Sequence, residues 1–164
     1  MAGSKAEKTD SSEHQTVTMV TARRTITETD IVTFVNVVGL HEPPFIDIEY
    51  IQSSMPESHQ KRFAPAPFLI SVGMGLMAPH IMGVLDQISE KYKLGLFMGM
   101  VGIEGRVKAP GYPGDTLQVE LEARVKRKTS KGMILVDLRH ILTKQTGAVV
   151  VDFVETVMFG PPAE

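Results

Sequence analysis

The sequence predicts an α+β protein: a long antiparallel sheet wrapped around one long apolar helix. Three observations predict it. From Phe63 to Leu85 no acid, lysine or arginine interrupts the chain, and a helix apolar on every face must be covered all round. From Leu94 the hydropathy period changes from helical to alternating and stays so to Phe159. The alternating runs are joined by tight turns rich in glycine, which makes successive strands antiparallel neighbours.

The elements follow in chain order. Residues 1–15 are polar, small and mixed in charge, and are expected to form a disordered tail ahead of a single domain over 16–164. Thr16–Arg23 alternates loosely and suits a first strand. Ile31, Phe34, Val35 and Val38 recur at helical spacing and predict a short amphipathic helix over Glu28–Val38. Thr27 is its N-cap, with Asp30 in the capping-box position, and Gly39 is its stop. Leu40–Asp47 holds two adjacent prolines and is read as a loop. Ile48–Ser53 begins another short helix, and Met55–Arg62 is polar connection. In the apolar helix that follows, Pro65 and Pro67 suit a first turn, where a missing N–H costs nothing. Pro79 falls inside it and presses toward the Gly75 carbonyl, so a kink is expected there. The helix fades through Asp86–Lys93.

Four strand segments complete the chain: Leu96–Lys108, Thr116–Lys128, Met133–Lys144 and Ala148–Phe159. In the second, Leu117, Val119, Leu121, Ala123 and Val125 face one way while Gln118, Glu120, Glu122, Arg124 and Lys126 face the other. That is a half-buried strand with one wet face. In the third, Val136, Leu138, His140 and Leu142 share a side.

Composition narrows the function. Hydrophobic residues make up 43% of the chain and charged ones 22%, the balance of a globular protein. A net charge of −2 gives no case for nucleic acid or an anionic membrane as a partner. There is no cysteine, hence no disulfide framework and no thiolate chemistry. The charged N-terminus is not a secretory signal, and together these features point to the cytoplasm. Phe63–Leu85 is long enough to span a bilayer, but its prolines, glycines and His80, and the sheet after it, favour a core helix. No histidine pair has metal-ligand spacing with a matching acid, so neither metal nor cofactor is expected.

Four stretches carry a family resemblance: Ile26–Val38, Gly39-Leu-His-Glu-Pro-Pro-Phe-Ile-Asp47, Ala64-Pro-Ala-Pro-Phe-Leu-Ile-Ser71 and Gly111-Tyr-Pro-Gly-Asp-Thr-Leu117. Their order resembles the hotdog fold of the MaoC-like (R)-specific enoyl-CoA hydratase/dehydratase family, from about Thr25 to Phe159. The resemblance implies an acyl-CoA or acyl-carrier thioester as substrate. It implies water added to, or removed from, the acyl chain by a loop aspartate and histidine. It also implies a thioester carbonyl polarised by a backbone N–H at the start of the central helix. Hotdog proteins pair sheets edge to edge, so a homodimer, or a hetero-oligomer with a second hotdog subunit, is implied as well.

The catalytic pattern departs from the family. Gly39, Pro43 and Asp47 are kept, but the aspartate position holds Leu40, the asparagine position Glu42 and the histidine position Phe45. Leucine and phenylalanine carry no protons. A relocated acid/base pair at His41 and Glu42, with Asp47 beside it, is one reading; an exposed polar loop, with Asp47 capping the next helix, is the other. Substrate contact falls to Leu40, Phe45, Ala66, Phe68 and Ser71, with the Ala66 N–H as oxyanion donor. His80 reads as a core histidine or, alternatively, a pocket residue, His140 as a core or interface residue, and His14 and His59 as lying in polar segments. The methionines at 74, 77, 82, 98 and 100 suit either an acyl-lined cavity or core filling. Arg124–Lys131 suits either a phosphate contact or a solvated turn. Three functions remain: a hydratase/dehydratase with a non-standard acid/base set, a silent acyl-thioester-binding subunit beside an active partner, or another thioester reaction such as hydrolysis or a lyase step.

Overall fold

The computed structural model describes residues 16–161. The expected tail, Met1–Gln15, lies outside the described residues. The chain forms strands β1 (Val17–Val20) and β2 (Arg24–Thr25), then helices α1 (Glu28–Val38), α2 (Pro43–Ile46) and α3 (Ile48–Ser54). Helices α4 (Ala66–Met77) and α5 (Ile81–Tyr92) follow, and strands β3 (Phe97–Val107), β4 (Thr116–Lys128), β5 (Ile134–Lys144) and β6 (Val149–Phe159) close it.

One antiparallel sheet runs in the order β1-β4-β5-β6-β3, with β2 also paired to β4. The inward residues of β4, Leu117 to Val125, are all buried, and so are Val136, Leu138, His140 and Leu142 of β5. The α4–α5 segment lies across this apolar face, so the α+β wrap predicted from hydropathy is the observed fold. α1 spans Glu28–Val38 as predicted. The Thr27 hydroxyl accepts from the Asp30 N–H, the Asp30 carboxylate accepts from the Thr27 N–H, and Gly39 closes the helix in the left-handed region at φ 70°.

Three expectations need correction. The Leu40–Asp47 segment is not all loop: Pro43 and Pro44 open a single helical turn, a place where their fixed φ is an advantage. The central helix starts at Ala66, with Pro67 in its first turn, and the kink expected at Pro79 is a 3₁₀ turn over Ala78–His80. But it is not covered all round. Phe68, Leu69, Val72, Met77, Val84, Leu85 and Ile88 are buried, while Ser71, Gly75, Ala78, Pro79, Met82 and Gly83 face outward. The outward residues, Met82 apart, are small, so exposing them costs little apolar area. An unbroken apolar run thus hid a two-sided helix. His80, on the outer side of the break, is exposed rather than core.

Candidate functional site

The segment after α1 and the start of α4 meet at one end of the molecule. Leu40 and Phe45 are half-buried and pack on the cluster that holds Ile31, Val35, Ala64, Phe68 and Leu69. The rings of Phe45 and Phe63 meet edge to face with centroids 5.5 Å apart. Arg62, which the sequence reading passed over, ties the pieces together: its guanidinium pairs with Glu28 of α1 and donates to the Phe45 carbonyl. Leu40 and Phe45 therefore share one core cluster with Phe68, and Phe45 is held against the Arg62–Phe63 segment that leads into α4.

That first turn carries no side-chain cap. The N–H groups of Ala66 and Phe68 belong to the set that has no intrahelical acceptor, and Pro67 has none to offer. A helix start of this kind, at the positive end of the α4 dipole, suits a developing oxyanion. Ser71 does not join it: the side chain is exposed and Oγ donates to the Pro67 carbonyl at 2.8 Å.

The proton-bearing residues of the loop are less gathered. His41 and Glu42 are both exposed, and Glu42 is the N-cap residue of α2 without a side-chain capping bond. Asp47 accepts from the Tyr50 N–H at 2.9 Å, the capping role, at the start of α3. A cleft of about 320 Å³ adjoins this end, lined by Glu28, Ile48, Gln52, Lys61, Arg62 and Tyr112 among others; His41, Glu42 and Phe45 are not in its wall. Among the described residues no three His, Asp or Glu side chains come together as a metal site would require.

A second polar pair lies under the other half of the helix. His140 of β5 is 1% exposed, and its ring stacks flat on Phe153 of β6, centroids 4.4 Å apart. Its Nε2 lies 3.6 Å from Glu155 Oε2, too long for a hydrogen bond. No described residue hydrogen bonds either ring nitrogen. Leaving a buried polar group so costs about 1–3 kcal/mol. Both side chains line a cavity of about 170 Å³ whose other walls are Met74, Met77, Ile81, Leu85 and Leu138, with Ala78 and Phe97 at its rim. The sequence reading placed His140 on the inward register but overlooked Glu155. The signal was present: Val151, Phe153, Val157 and Phe159 are the other inward residues of β6 and all are apolar.

On the outer face of the sheet Arg139 is matched by two carboxylates. Arg139 of β5 donates to both Asp152 oxygens, at 3.0 and 2.9 Å, and to Glu122 at 2.9 Å. Hydrogen bonds from Arg139 hold the Asp152 carboxyl below its ordinary range, against a smaller effect of burial. At α1, hydrogen bonds from the Thr27 backbone and hydroxyl do the same for Asp30.

No protein-family model and no curated protein matches the chain. Solved structures do. The monoamine oxidase regulatory protein of Archaeoglobus fulgidus aligns with a TM-score of 0.67 at 20% identity, covering 90% of each chain. The MaoC-like dehydratase of Rhodospirillum rubrum aligns at 0.63 and 20%, covering 90% of this chain and 93% of that one. The HadBC (3R-hydroxyacyl-ACP dehydratase) complex of Mycobacterium tuberculosis aligns at 0.59 and 16%, covering 86% and 95%. The fold is therefore the hotdog fold shared by MaoC-like dehydratases and (R)-hydratases.

Proposed function

We propose that the protein binds an acyl thioester, of the acyl-CoA or acyl-carrier kind, and acts as a hydratase/dehydratase whose acid/base set differs from the usual loop aspartate and histidine. The observation that carries this reading is the uncapped α4 start, with its Ala66 and Phe68 N–H groups, following directly on Phe63, whose ring meets Phe45. The donor that polarises a thioester carbonyl is kept, while the usual proton carriers are replaced by an apolar wall. Within this reading His41 and Glu42 supply proton transfer from the exposed end of the loop, and the acyl chain lies against Leu40, Phe45 and Phe68. Similar structures named as dehydratases and (R)-hydratases support the substrate class.

The test is turnover of a panel of enoyl- and 3-hydroxyacyl-thioesters by the purified chain. Hydration that falls about 10²-fold or more in His41→Ala or Glu42→Ala supports the assignment. Turnover unchanged in both variants removes it. Release of free thiol instead points to hydrolysis on the same scaffold.

A second reading is a silent subunit that holds the acyl chain beside an active partner. One feature favours it: β3 is an edge strand exposed along its length, with Phe97, Met98, Met100, Val101 and Ile103 all around half exposed. An unpaired apolar edge invites another strand, and hotdog complexes such as HadBC and ChsH1–ChsH2 are among the similar structures. The Leu40→Asp, Phe45→His double variant separates the two. It restores the usual pair, and a silent subunit with an intact thioester seat should then gain hydration by about 10²-fold. No gain, with the variant folded, counts against a thioester seat at this end of α4. We infer a cytoplasmic protein that works as a homodimer or hetero-oligomer; the exposed β3 edge supports the assembly.

A further inference from the structure

The His140–Glu155 pair is not absorbed by the thioester reading. It lies beneath the second half of the central helix, away from Ala66 and the loop. Between the two places the helix sits hard on the sheet: a Cβ built on Gly73 would lie 3.0 Å from the Phe153 ring. A side chain there would make the Phe153 ring give way, and the helix and sheet meet closely between the cavity and the α4 start.

The pair does not behave as structural cement. A structural pair closes to hydrogen-bonding distance; this one stops at 3.6 Å. An inner sheet face built only for packing would continue its aliphatic register through both positions, as it does at Leu138, Leu142, Val151 and Val157. Instead an imidazole that is 1% exposed has neither nitrogen bonded to a described residue, and it borders a cavity with an otherwise apolar wall. An apolar cavity of about 150 Å³ is large enough for benzene, and this one is of about 170 Å³. Ala78 in the exposed 3₁₀ turn and the half-exposed Phe97 form its rim, so the space reaches the surface where Pro79 breaks the helix.

We propose that this cavity is a second ligand site, separate from the thioester end, that takes a small, largely apolar alcohol or phenol whose hydroxyl is held between His140 and Glu155. A hydroxyl has one hydrogen to donate and lone pairs to accept with, so it can donate to the Glu155 carboxylate and accept from an imidazole N–H of His140. Met74 and Met77 supply polarizable, adaptable walls for the apolar body.

Phenol and toluene are suitable probes, nearly equal in shape and differing in the hydroxyl. With methionine methyl groups labelled in the full chain, phenol is expected to shift the Met74 and Met77 resonances saturably. Toluene is expected to bind about tenfold more weakly, the worth of one buried hydrogen bond. His140→Leu should bring phenol down to the affinity of toluene. Glu155→Gln, which keeps the shape of the site, should weaken phenol and leave toluene unchanged, and serves should the leucine variant fail to fold. The proposal is overturned if neither probe saturates, if the two bind equally well, or if phenol affinity is the same in the wild type and in the folded variants. None of these outcomes depends on thioester turnover.

Discussion

Arg139 and His140 are neighbours on β5 that point to opposite faces of one sheet, and the two faces treat polarity in opposite ways. Outward, Arg139 is 43% exposed yet fully matched, with Asp152 and Glu122 on the flanking strands. Inward, His140 is buried with neither nitrogen bonded among the described residues. Water would serve the outer charges without help from the fold, so their pairing adds little. The inner pair lies under the helix, where a polar group without a protein partner is costly. At these two neighbouring positions the polarity that costs little is satisfied and the polarity that costs much is not, although the buried Asp137 and Thr21 both find partners. The difference teaches where to look for binding: at the place where stability is given up.

The strongest way to break this comparison is to remove the floor of the inner face. Phe153 is 1% exposed, lies under the His140 ring and touches the helix at Gly73. Phe153→Ala should cost about 3–5 kcal/mol, the usual penalty for a large buried aromatic, read as a lowered urea midpoint. A loss below about 1 kcal/mol would mean that the helix is not seated on the sheet as described. A smaller and more pointed effect is expected from His140→Leu. It removes an unpartnered imidazole and fills the space with methyl groups, so stability should stay within about 1 kcal/mol of wild type or rise. A loss of 3 kcal/mol or more, as for a broken buried ion pair, would make the inner pair structural after all and erase the contrast with Arg139.

Local signals made much of this legible. Thr27, Asp30 and Gly39 bound α1 because capping chemistry depends on nearby residues only, and the alternation of β4 gave its buried face directly. Pro79 marked the helix break for the same reason. What failed was hydropathy read without size. Ser71, Gly75, Ala78 and Gly83 raise no charge alarm, yet they form the outer side of the helix. The candidate site was legible only in part. Leu40, Phe45 and Phe68 belong to one core cluster, but the role of Arg62 depends on Glu28 and on the Phe45 carbonyl, contacts that no spacing rule reaches. Glu155 was missed because its meaning arises from strand register. It becomes notable once β6 is laid against β5 and both polar residues fall on the inward side.

The smallest expected effect lies on the outer face and sharpens the comparison from the other side. Arg139 holds the Asp152 carboxyl below its ordinary pKa of 3.8, chiefly through hydrogen bonds. A carboxylate whose folded pKa is depressed contributes stability that is fully present above its unfolded value and lost as pH falls through the folded one. Asp152→Asn should therefore lower the urea midpoint slightly at neutral pH, by no more than an exposed pair is worth, about 0.2–1 kcal/mol. The gap to wild type should close as pH is taken below 3.8, because acid removes the same charge from the native protein. Salt of about 1 M, which shortens the screening length to about 3 Å, should also shrink it while leaving the Phe153→Ala deficit in place. A gap that ignored both acid and salt would mean that Asp152 matters through packing, and the outer face would then be built by the same rules as the inner one.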